Sequence, residues 1–210
     1  MKSRAGSIDW DDPLPLARLE AESAVLSRDF FARPTVEVAR GLLGKVLQHG
    51  PAAGRIVEVE AYLGLEDKAA HASRGLTPRT RVIFGPPGHA YVYFVYGMHE
   101  CLNIVAEPDG VPGCVLIRAL EPLAGLAEMR RRRPRARRPE DLASGPGNLT
   151  LALAITRELY GCDLTRGPLL VRALRQEAPP EVVMTPRIGI RHCADWPLRF
   201  AIAGSRFVSR

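Results

Sequence analysis

The sequence lacks long apolar runs and has few cysteines and lysines, and each shortage excludes a class of protein. No apolar run approaches the roughly 18 residues that a membrane-spanning helix needs. The four cysteines show no CxxC spacing, which indicates reduced thiols rather than a disulfide framework or a zinc site. Residues 1–12 contain no apolar segment typical of a secretory signal. We therefore expect a cytoplasmic protein that does not enter membranes.

The composition is that of an ordinary folded protein, with 46% apolar and 25% charged residues in a chain of 210. This length suggests one compact domain. Residues 1–24 show little periodicity and contain five acids and two prolines. We expect a weakly ordered leader there, followed by a single domain over residues 25–210.

Positive charge is concentrated in one segment, because Arg130–Arg138 carries seven arginines. The formal net charge is +6, and removing seven from it leaves −1, so the basicity of the chain is local. Dense arginine is typical of a surface that binds a polyanion such as nucleic acid. A solvated, mobile loop is the alternative interpretation.

Hydrophobic periodicity predicts a mixed α+β domain in which strands dominate. A hairpin is indicated by two β-prone runs joined by a short turn, and the segment 64–90 has the composition of a long loop. The predicted helices cover 36–43, 123–133 and 149–160, and the predicted strands cover 55–62, 91–96, 101–106, 115–120, 169–173, 187–190 and 199–203.

Two acids stand where a strand is predicted, against the usual preference of strands. Glu60 is followed two residues later by Tyr62, and a carboxylate beside an aromatic ring suits a general base over a stacked substrate. On the pattern alone, an edge strand with two solvated acids is the simpler explanation of Glu58 and Glu60. A metal site would recruit both acids together with Asp67 and His71, although their spacing matches no tight ligand motif.

Tyrosines cluster in the predicted hairpin, with Tyr91, Tyr93 and Tyr96 inside six residues. Tyr96 stands at the tip, where a large ring is poorly placed for a core and well placed to insert between bases. Ordinary aromatic packing within a sheet is the alternative. Asn103 and Arg118 are polar residues on predicted strands, and they need polar partners if they are buried.

The ordered series of these segments closely resembles the 3-methyladenine DNA glycosylase family of the alkyladenine, or N-methylpurine, type. The resemblance extends from about residue 27 to residue 208. It is carried by IVEVEAYLG (56–64), EDKAAH (66–71), TPRT (77–80), GPPGHAYVYFVYGMHECLN (85–103), VLIRALEPL (115–123), SGPGNL (144–149) and RIGI (187–190). It implies a compact α+β domain with a mostly antiparallel, curved β-sheet, flanking helices and a protruding β-hairpin.

The resemblance also implies roles for individual residues. Glu60 is expected to activate the hydrolytic water, which Arg118 and the main chain at Ile188 would help to hold. Tyr62, His71 and Tyr93 would sandwich the flipped base, Asn103 would exclude normal guanine, and Tyr96 would fill the gap in the duplex. The expected contacts to the DNA backbone come from Thr77, Arg79, Met98, Ser144, Gly145, Arg131, Arg132 and Arg133.

By this resemblance the chain is expected to excise 3-methyladenine, 7-methylguanine, hypoxanthine or ethenoadenine from duplex DNA as a monomer, with no metal or cofactor. Lysine is scarce and the resemblance assigns none to the pocket, so we expect no lyase step. Two positions depart from the family pattern. Asn148 replaces a usual lysine, and Glu100 replaces a usual aromatic residue and should weaken DNA binding near the tip.

Two other functions compete with this interpretation. A nucleic-acid-binding protein without catalytic activity would use the same tyrosines and arginines, and it would not need Glu60. A metal-dependent phosphohydrolase built on the four acid and histidine residues named above would lose its activity in a chelator.

Overall fold

The computed structural model describes residues 14–95, 97–176 and 178–209. The α-helices are α1 (Leu16–Ala21), α2 (Arg28–Phe31), α3 (Thr35–Leu42), α4 (Leu126–Arg132), α5 (Pro139–Leu142) and α6 (Pro146–Leu153). The strands are β1 (Ser23–Val25), β2 (Val46–His49), β3 (Ala52–Tyr62), β4 (Ala90–Val95), β5 (His99–Val105), β6 (Cys114–Ala124), β7 (Leu169–Leu174), β8 (Val182–Thr185) and β9 (Arg199–Ile202). Short 3-10 turns cover His71–Arg74, Arg81–Phe84 and Arg157–Leu159.

One antiparallel sheet organises the fold. Seven of its strands follow the order β1-β7-β2-β3-β6-β5-β4, while β9 pairs with both β3 and β8. The sheet with its helices confirms the predicted α+β class and its mostly antiparallel pairing. The predicted hairpin is also present, because β4 pairs with β5 along its whole length at one end of the strand order.

Strand β3 lies at the centre of the sheet and pairs with β2, β6 and β9. Nearly all of its residues are buried on both faces. The pairing with β6 shifts register on each side of Glu58, which marks a bulge at that position. Glu58 and Glu60 are both fully buried, so the alternative of a solvated edge strand is wrong.

Helices α3 and α6 pack against the central strands and close the main core. In α3 the buried residues Val38, Ala39 and Leu42 form one stripe at helical spacing, which explains why this helix is predictable from sequence. Helix α6 begins at Pro146, whose fixed φ and missing N–H suit the first helical position.

Two predicted helices have the wrong limits. The helix predicted over 123–133 begins at Leu126, because residues 123 and 124 still belong to β6 and Gly125 adopts a left-handed conformation against the carbonyl of Pro51. The helix predicted over 149–160 begins and ends earlier. Ala154 takes a left-handed conformation (φ 54°), and the Thr156 side chain then caps a separate turn.

The strand predicted over 187–190 is wrong, and the strand of this region is β8, over residues 182–185. Residues 187–190 make side-chain contacts instead of ladder contacts. Arg187 binds Asp67, and the main-chain N–H of Ile188 donates to the Glu60 carboxylate. Gly189 has a left-handed φ of 74°, which a strand does not accommodate.

The described end of the expected leader contributes to the fold. Residues 16–24 form α1 and most of β1, which pairs with β7. Leu19 is fully buried among Val46, Ala53 and Leu123, and this contact explains the order that the composition did not predict. Residues 1–13 lie outside the described residues, so the domain boundary at residue 25 stays a prediction.

We expect Leu19→Ala to lower the free energy of unfolding by about 2–5 kcal/mol, because a buried leucine leaves a cavity when truncated. Urea denaturation followed by circular dichroism measures the change. Arg18→Ala is the matched control on the same helix, since Arg18 is exposed and its ion pair with Glu22 is screened by solvent. Equal midpoints for the two variants would contradict a structural role for α1.

Candidate functional site

A cavity of about 370 Å³ opens beside β3, β5 and β6. Its wall brings together residues that lie far apart in the sequence, and it includes every described side chain that the resemblance assigns to a base pocket. These are Tyr62, His71, Tyr93 and Asn103, joined in the lining by Arg118 and Ile188.

Glu60 lies directly behind this wall, and its carboxylate is held by three donors. Arg118 Nη1 lies 3.1 Å from Oε1, and the Ile188 N–H donates to the same oxygen at 2.8 Å. The Tyr62 hydroxyl donates to Oε2 at 2.9 Å. All three donors belong to residues that line the cavity, so the carboxylate is coupled to it on three sides.

The other buried acid, Glu58, shares Arg118 with Glu60. Arg118 Nε donates to Glu58 Oε1 at 2.9 Å, and Arg199 Nε donates to it at 2.7 Å. Burial opposes ionisation of Glu58, but hydrogen bonds from Ser209 and Arg199 outweigh burial and lower the pKa of its carboxyl. Glu58 is therefore an anion beside the candidate site at neutral pH.

Three aromatic side chains form one wall of the cavity. The His71 and Tyr93 rings meet edge to face, with centroids 4.6 Å apart, and the Tyr91 and Tyr93 centroids are 5.3 Å apart. The Tyr91 hydroxyl contacts His71 Nδ1 at 2.9 Å and accepts from Arg79 Nε at 3.2 Å. These contacts fix the orientation of the His71 ring.

The aromatic groups of this wall are held in neutral forms. Burial, followed by the positive charges of Arg79 and Arg74, lowers the pKa of His71 to about 4. Burial raises the pKa values of Tyr62 and Tyr93 well above their usual range. At neutral pH the wall therefore carries polarisable rings without adding a charge of its own.

Asn103 is fixed at both ends of its amide. Its Nδ2 donates to the Tyr91 carbonyl at 3.4 Å, and its Oδ1 accepts from the Cys114 thiol at 3.8 Å. Cys101 also lines the cavity, and all four cysteines are free thiols. The sequence pattern did not single out Cys101 or Cys114, because isolated cysteines on strands resemble ordinary core residues.

A buried ion pair that the sequence did not predict, Asp67–Arg187, supports the segment that holds Glu60. Arg187 Nη2 donates to Asp67 Oδ1 at 2.8 Å, and Nη1 contacts Oδ2 and the Ala61 carbonyl. The Arg187 guanidinium also lies 4.6 Å from the centroid of the Tyr62 ring. Arg187 belongs to the RIGI segment, but its role depends on a partner 120 residues earlier in the chain, which the sequence alone does not reveal.

Of the residues expected to contact the DNA backbone, Arg79 alone belongs to the lining of this cavity. Met98, at the hairpin tip, is 68% exposed. Arg79 lines the cavity and lies 5.0 Å from the Tyr93 ring centroid, whereas Thr77 bonds to Thr80 beside it. Tyr96 lies outside the described residues, so its expected insertion into the duplex stays a prediction.

Helix α6 reaches the cavity with its N-terminus, where Pro146 and Gly147 line the wall. A Cβ atom on Gly147 would lie only 2.7 Å from the His99 ring, so a glycine is required at this approach. Ser144 and Gly145 precede the helix, and the Ser144 hydroxyl donates to the Val208 carbonyl at 3.0 Å.

The arginine-rich segment is partly structural. Arg132 Nη1 donates to the Ala152 carbonyl at 2.9 Å, and Arg133 Nη2 donates to the Asp141 carbonyl at 3.1 Å. Arg131 is 71% exposed and makes only a 3.8 Å ion pair with Glu128. Arg131 is therefore the member of this trio with most of its charge directed to solvent.

The two departures from the family pattern have structural partners. Glu100 accepts a 2.9 Å hydrogen bond from Arg157 Nε, so an arginine offsets its charge near the hairpin tip. Asn148 donates to the Ser144 carbonyl at 2.6 Å and folds back onto the loop before α6. The side chain that stands in place of the expected lysine is thus used within the protein.

The four residues of the metal-site alternative do not converge. Glu58 and Glu60 are held by arginines, Asp67 by Arg187, and His71 by Tyr91. Over residues 14–95, 97–176 and 178–209, no group of three histidine, cysteine or acidic side chains is placed to hold a metal ion.

In the same ranges, no helix is both long and apolar enough to cross a membrane.

Comparison with known proteins agrees with this geometry. A family model described as methylpurine-DNA glycosylase matches residues 29–206, so the chain belongs to that family. Membership of this family places the chain among the DNA glycosylases of base excision repair.

Relatives from distant organisms match over most of their length, and each is named "Putative 3-methyladenine DNA glycosylase". The chain is 49% identical to the Rhodopseudomonas palustris protein over 209 residues, covering 100% of this chain and 97% of the relative. It is 54% identical to the Methanoculleus marisnigri protein over 187 residues, covering 86% and 96%, respectively. It is 53% identical to the Methanocella arvoryzae protein over 180 residues, covering 83% and 89%.

The depressed pKa of His71 gives a direct test of the cavity wall. We expect its imidazole to titrate near pH 4 by NMR, and we expect Arg79→Ala to move the midpoint only part of the way toward 6.5, because burial is the larger cause. Since the unfolded form binds its proton at higher pH, the contribution of His71 to stability is lost as the pH falls from about 6.5 through 4.

Arg166→Ala is the control for this titration, because Arg166 pairs with Asp163 on the surface. A wild-type midpoint near 6.5, or the same shift in the control variant, would contradict the described environment of His71.

Proposed function

We propose that this protein is a monofunctional DNA glycosylase that hydrolyses the N-glycosidic bond of damaged purines. The expected substrates are 3-methyladenine, 7-methylguanine, hypoxanthine and ethenoadenine in duplex DNA, and the product is an abasic site. The observation that carries this proposal is the buried Glu60 carboxylate, coupled through Tyr62, Arg118 and Ile188 to a cavity with aromatic walls.

The target nucleotide must leave the duplex to reach such a cavity, and unstacking is least unfavourable for a damaged base. Stacking on aromatic rings contributes roughly 1–3 kcal/mol per base, which offsets part of the unstacking. Tyr62, His71 and Tyr93 would provide these rings. A neutral His71 suits a cationic methylpurine, because a protonated imidazole would repel it.

Glu60 would accept a proton from a water molecule while the oxygen of that water attacks C1′ of the deoxyribose. The bond between the water oxygen and C1′ forms while the N-glycosidic bond breaks, and a cationic purine leaves as the neutral base. The carboxylate would also stabilise the positive charge that develops on the sugar. Arg118 and the Ile188 N–H would hold the carboxylate in position at the cavity wall.

Asn103 is proposed to discriminate between bases. Because Asn103 is buried within the sheet, its side chain has little room to move away from an approaching exocyclic group. The 2-amino group of guanine would meet this side chain, which disfavours entry of the normal base. 7-Methylguanine carries the same group, but its cationic ring would gain stacking energy on the aromatic wall that neutral guanine lacks.

The absence of a lyase step is proposed from the composition of the cavity. Among the described residues, the cavity lining includes no lysine that could form a Schiff base, and Lys68 faces solvent. The competing function, nucleic-acid binding without catalysis, explains the arginines and tyrosines but not the three donors that converge on Glu60.

The decisive experiment measures release of free base from methylated duplex DNA in the presence of EDTA. We expect wild type to release methylpurines and Glu60→Gln to lose at least about 100-fold in rate, because the amide cannot accept the proton from water. Chromatography identifies the base, and alkaline cleavage on a gel reveals the abasic site.

Glu121→Gln is the matched control for Glu60→Gln. Glu121 pairs with Arg55 across the same two strands and lies outside the cavity lining. Intact DNA binding with no base release by wild type would favour the binding-protein alternative, and loss of activity in EDTA would favour a metal-dependent reaction.

The arginine-rich segment gives a separate prediction about DNA binding. Arg132 borders the same surface depression as Met98 of the hairpin tip, so this segment extends toward the side that would face DNA. We expect Arg131→Ala, Arg132→Ala and Arg133→Ala together to flatten the plot of log K against log salt by about one unit for each DNA phosphate that these arginines neutralise.

Fluorescence anisotropy of a labelled duplex measures this salt dependence. Arg131→Ala alone removes a charge without removing a hydrogen bond to the main chain, whereas Arg132 and Arg133 each donate to a main-chain carbonyl. An unchanged slope in the triple variant would remove the segment from the DNA interface.

A further inference from the structure

Glu58 is a fully buried ionisable side chain to which the proposed chemistry gives no role. Its carboxylate accepts from Arg118 Nε at 2.9 Å and from Arg199 Nε at 2.7 Å. The Ser209 hydroxyl donates to Oε1 at 2.8 Å, and the Ser209 main-chain N–H contacts Oε2. A carboxylate with so many donors on three separate parts of the chain has little freedom to move.

Arg118 is the link between Glu58 and the cavity. Its Nε is bound to Glu58, its Nη2 donates to the Ser209 hydroxyl at 3.2 Å, and its Nη1 is left facing Glu60 at 3.1 Å. Because a guanidinium is planar and rigid, fixing two of its nitrogens sets the position of the third. The contact with Glu60 is therefore determined by Glu58 and Ser209.

We propose that Glu58 is a positioning residue for hydrolysis, which aims Arg118 at Glu60 and limits the positive charge that Glu60 experiences. This inference rests on the proposed function of Glu60 as the base that activates water. Glu58 does not line the cavity, so it acts through Arg118 rather than on the substrate.

The second part of the role follows from the charges. Glu58 and Glu60 carry two negative charges, and Arg118 and Arg199 carry two positive charges in direct contact with them. Without Glu58, the charge of Arg118 would be opposed by Glu60 alone. The Glu60 carboxylate would then face a larger net positive charge, which stabilises the anion and makes transfer of a proton from water to it less favourable.

The remaining groups around Glu60 do not duplicate this effect. Tyr62 on β3 is neutral, and burial raises the pKa of the Cys101 thiol on β5, so neither adds charge at neutral pH. Arg187, in the segment before Ile188, has its own carboxylate partner in Asp67. On β9, Arg199 contacts Glu58 and the Thr185 hydroxyl.

The test is the pH dependence of base release under single-turnover conditions, with 7-methylguanine in duplex DNA as substrate. This base is already cationic, so the acidic limb of the profile reports a group on the protein. We expect Glu58→Gln to move the acidic limb down by about one pH unit and to lower the plateau rate roughly 10- to 100-fold, because Arg118 loses its anchor.

Arg199→Gln should give the opposite shift. Without Arg199, Glu58 opposes the charge of Arg118 more fully. The net positive charge facing Glu60 therefore falls, and the acidic limb should move to higher pH. Glu121→Gln removes a carboxylate from the Arg55–Glu121 pair on the same two strands, and it should leave both the limb and the plateau unchanged. If Glu58 had a purely structural role, its replacement would change the amount of folded protein. The acidic limb would then stay at the wild-type pH in both Glu58→Gln and Arg199→Gln.

Limbs that stay at the wild-type pH in folded Glu58→Gln and Arg199→Gln would overturn the inference. If Glu58→Gln does not fold, the direction of the shift in Arg199→Gln decides the matter alone. Base release by Glu60→Gln at the wild-type rate would contradict the proposed function instead. The two failures are thus distinguishable in one set of variants.

Discussion

The burial of two carboxylates on one central strand is the constraint on which the rest of the site depends. Transferring an ion out of water is unfavourable by several kcal/mol, so Glu58 and Glu60 require charged and hydrogen-bonding partners. Those partners come from β6, from β9, from the segment after β8 and from residue 209. The same contacts that make the acids tolerable therefore join distant parts of the chain at the cavity.

The second ion pair, Asp67–Arg187, extends this arrangement to the aromatic walls. Arg187 reaches the loop after β3 and lies over Tyr62, whose hydroxyl is bonded to Glu60. The wall that would stack a base and the carboxylate that would activate water are thus held by one connected set of contacts. A change in the Asp67–Arg187 pair or in the Glu60–Arg118 pair should therefore alter the positions of both the aromatic wall and the Glu60 carboxylate.

The sequence predicted the α+β class and most strands, because β3, the hairpin and β6 carry strong local patterns. It failed where a distant partner overrides the local pattern. Residues 187–190 look like a strand, yet their polar groups are used by Asp67 and Glu60. The resemblance named Glu60 and Arg118, whose side chains lie 3.1 Å apart in the structure, and their roles in the reaction stay predictions. The role proposed for Glu58 could not be predicted, because two acids in a predicted strand are also what a solvent-exposed edge strand would contain.

The two cysteines in the cavity lining have a consequence for chemical resistance. Burial raises the pKa of Cys114 to about 12 and also raises that of Cys101, so at neutral pH both side chains are protonated thiols. The thiolate is the form that reacts with electrophiles. A protein proposed to remove methylated purines would work while alkylating agents are still present, and these two thiols would be poor targets for them. Burial thus shields these two cysteines from the same compounds that would create the proposed substrate.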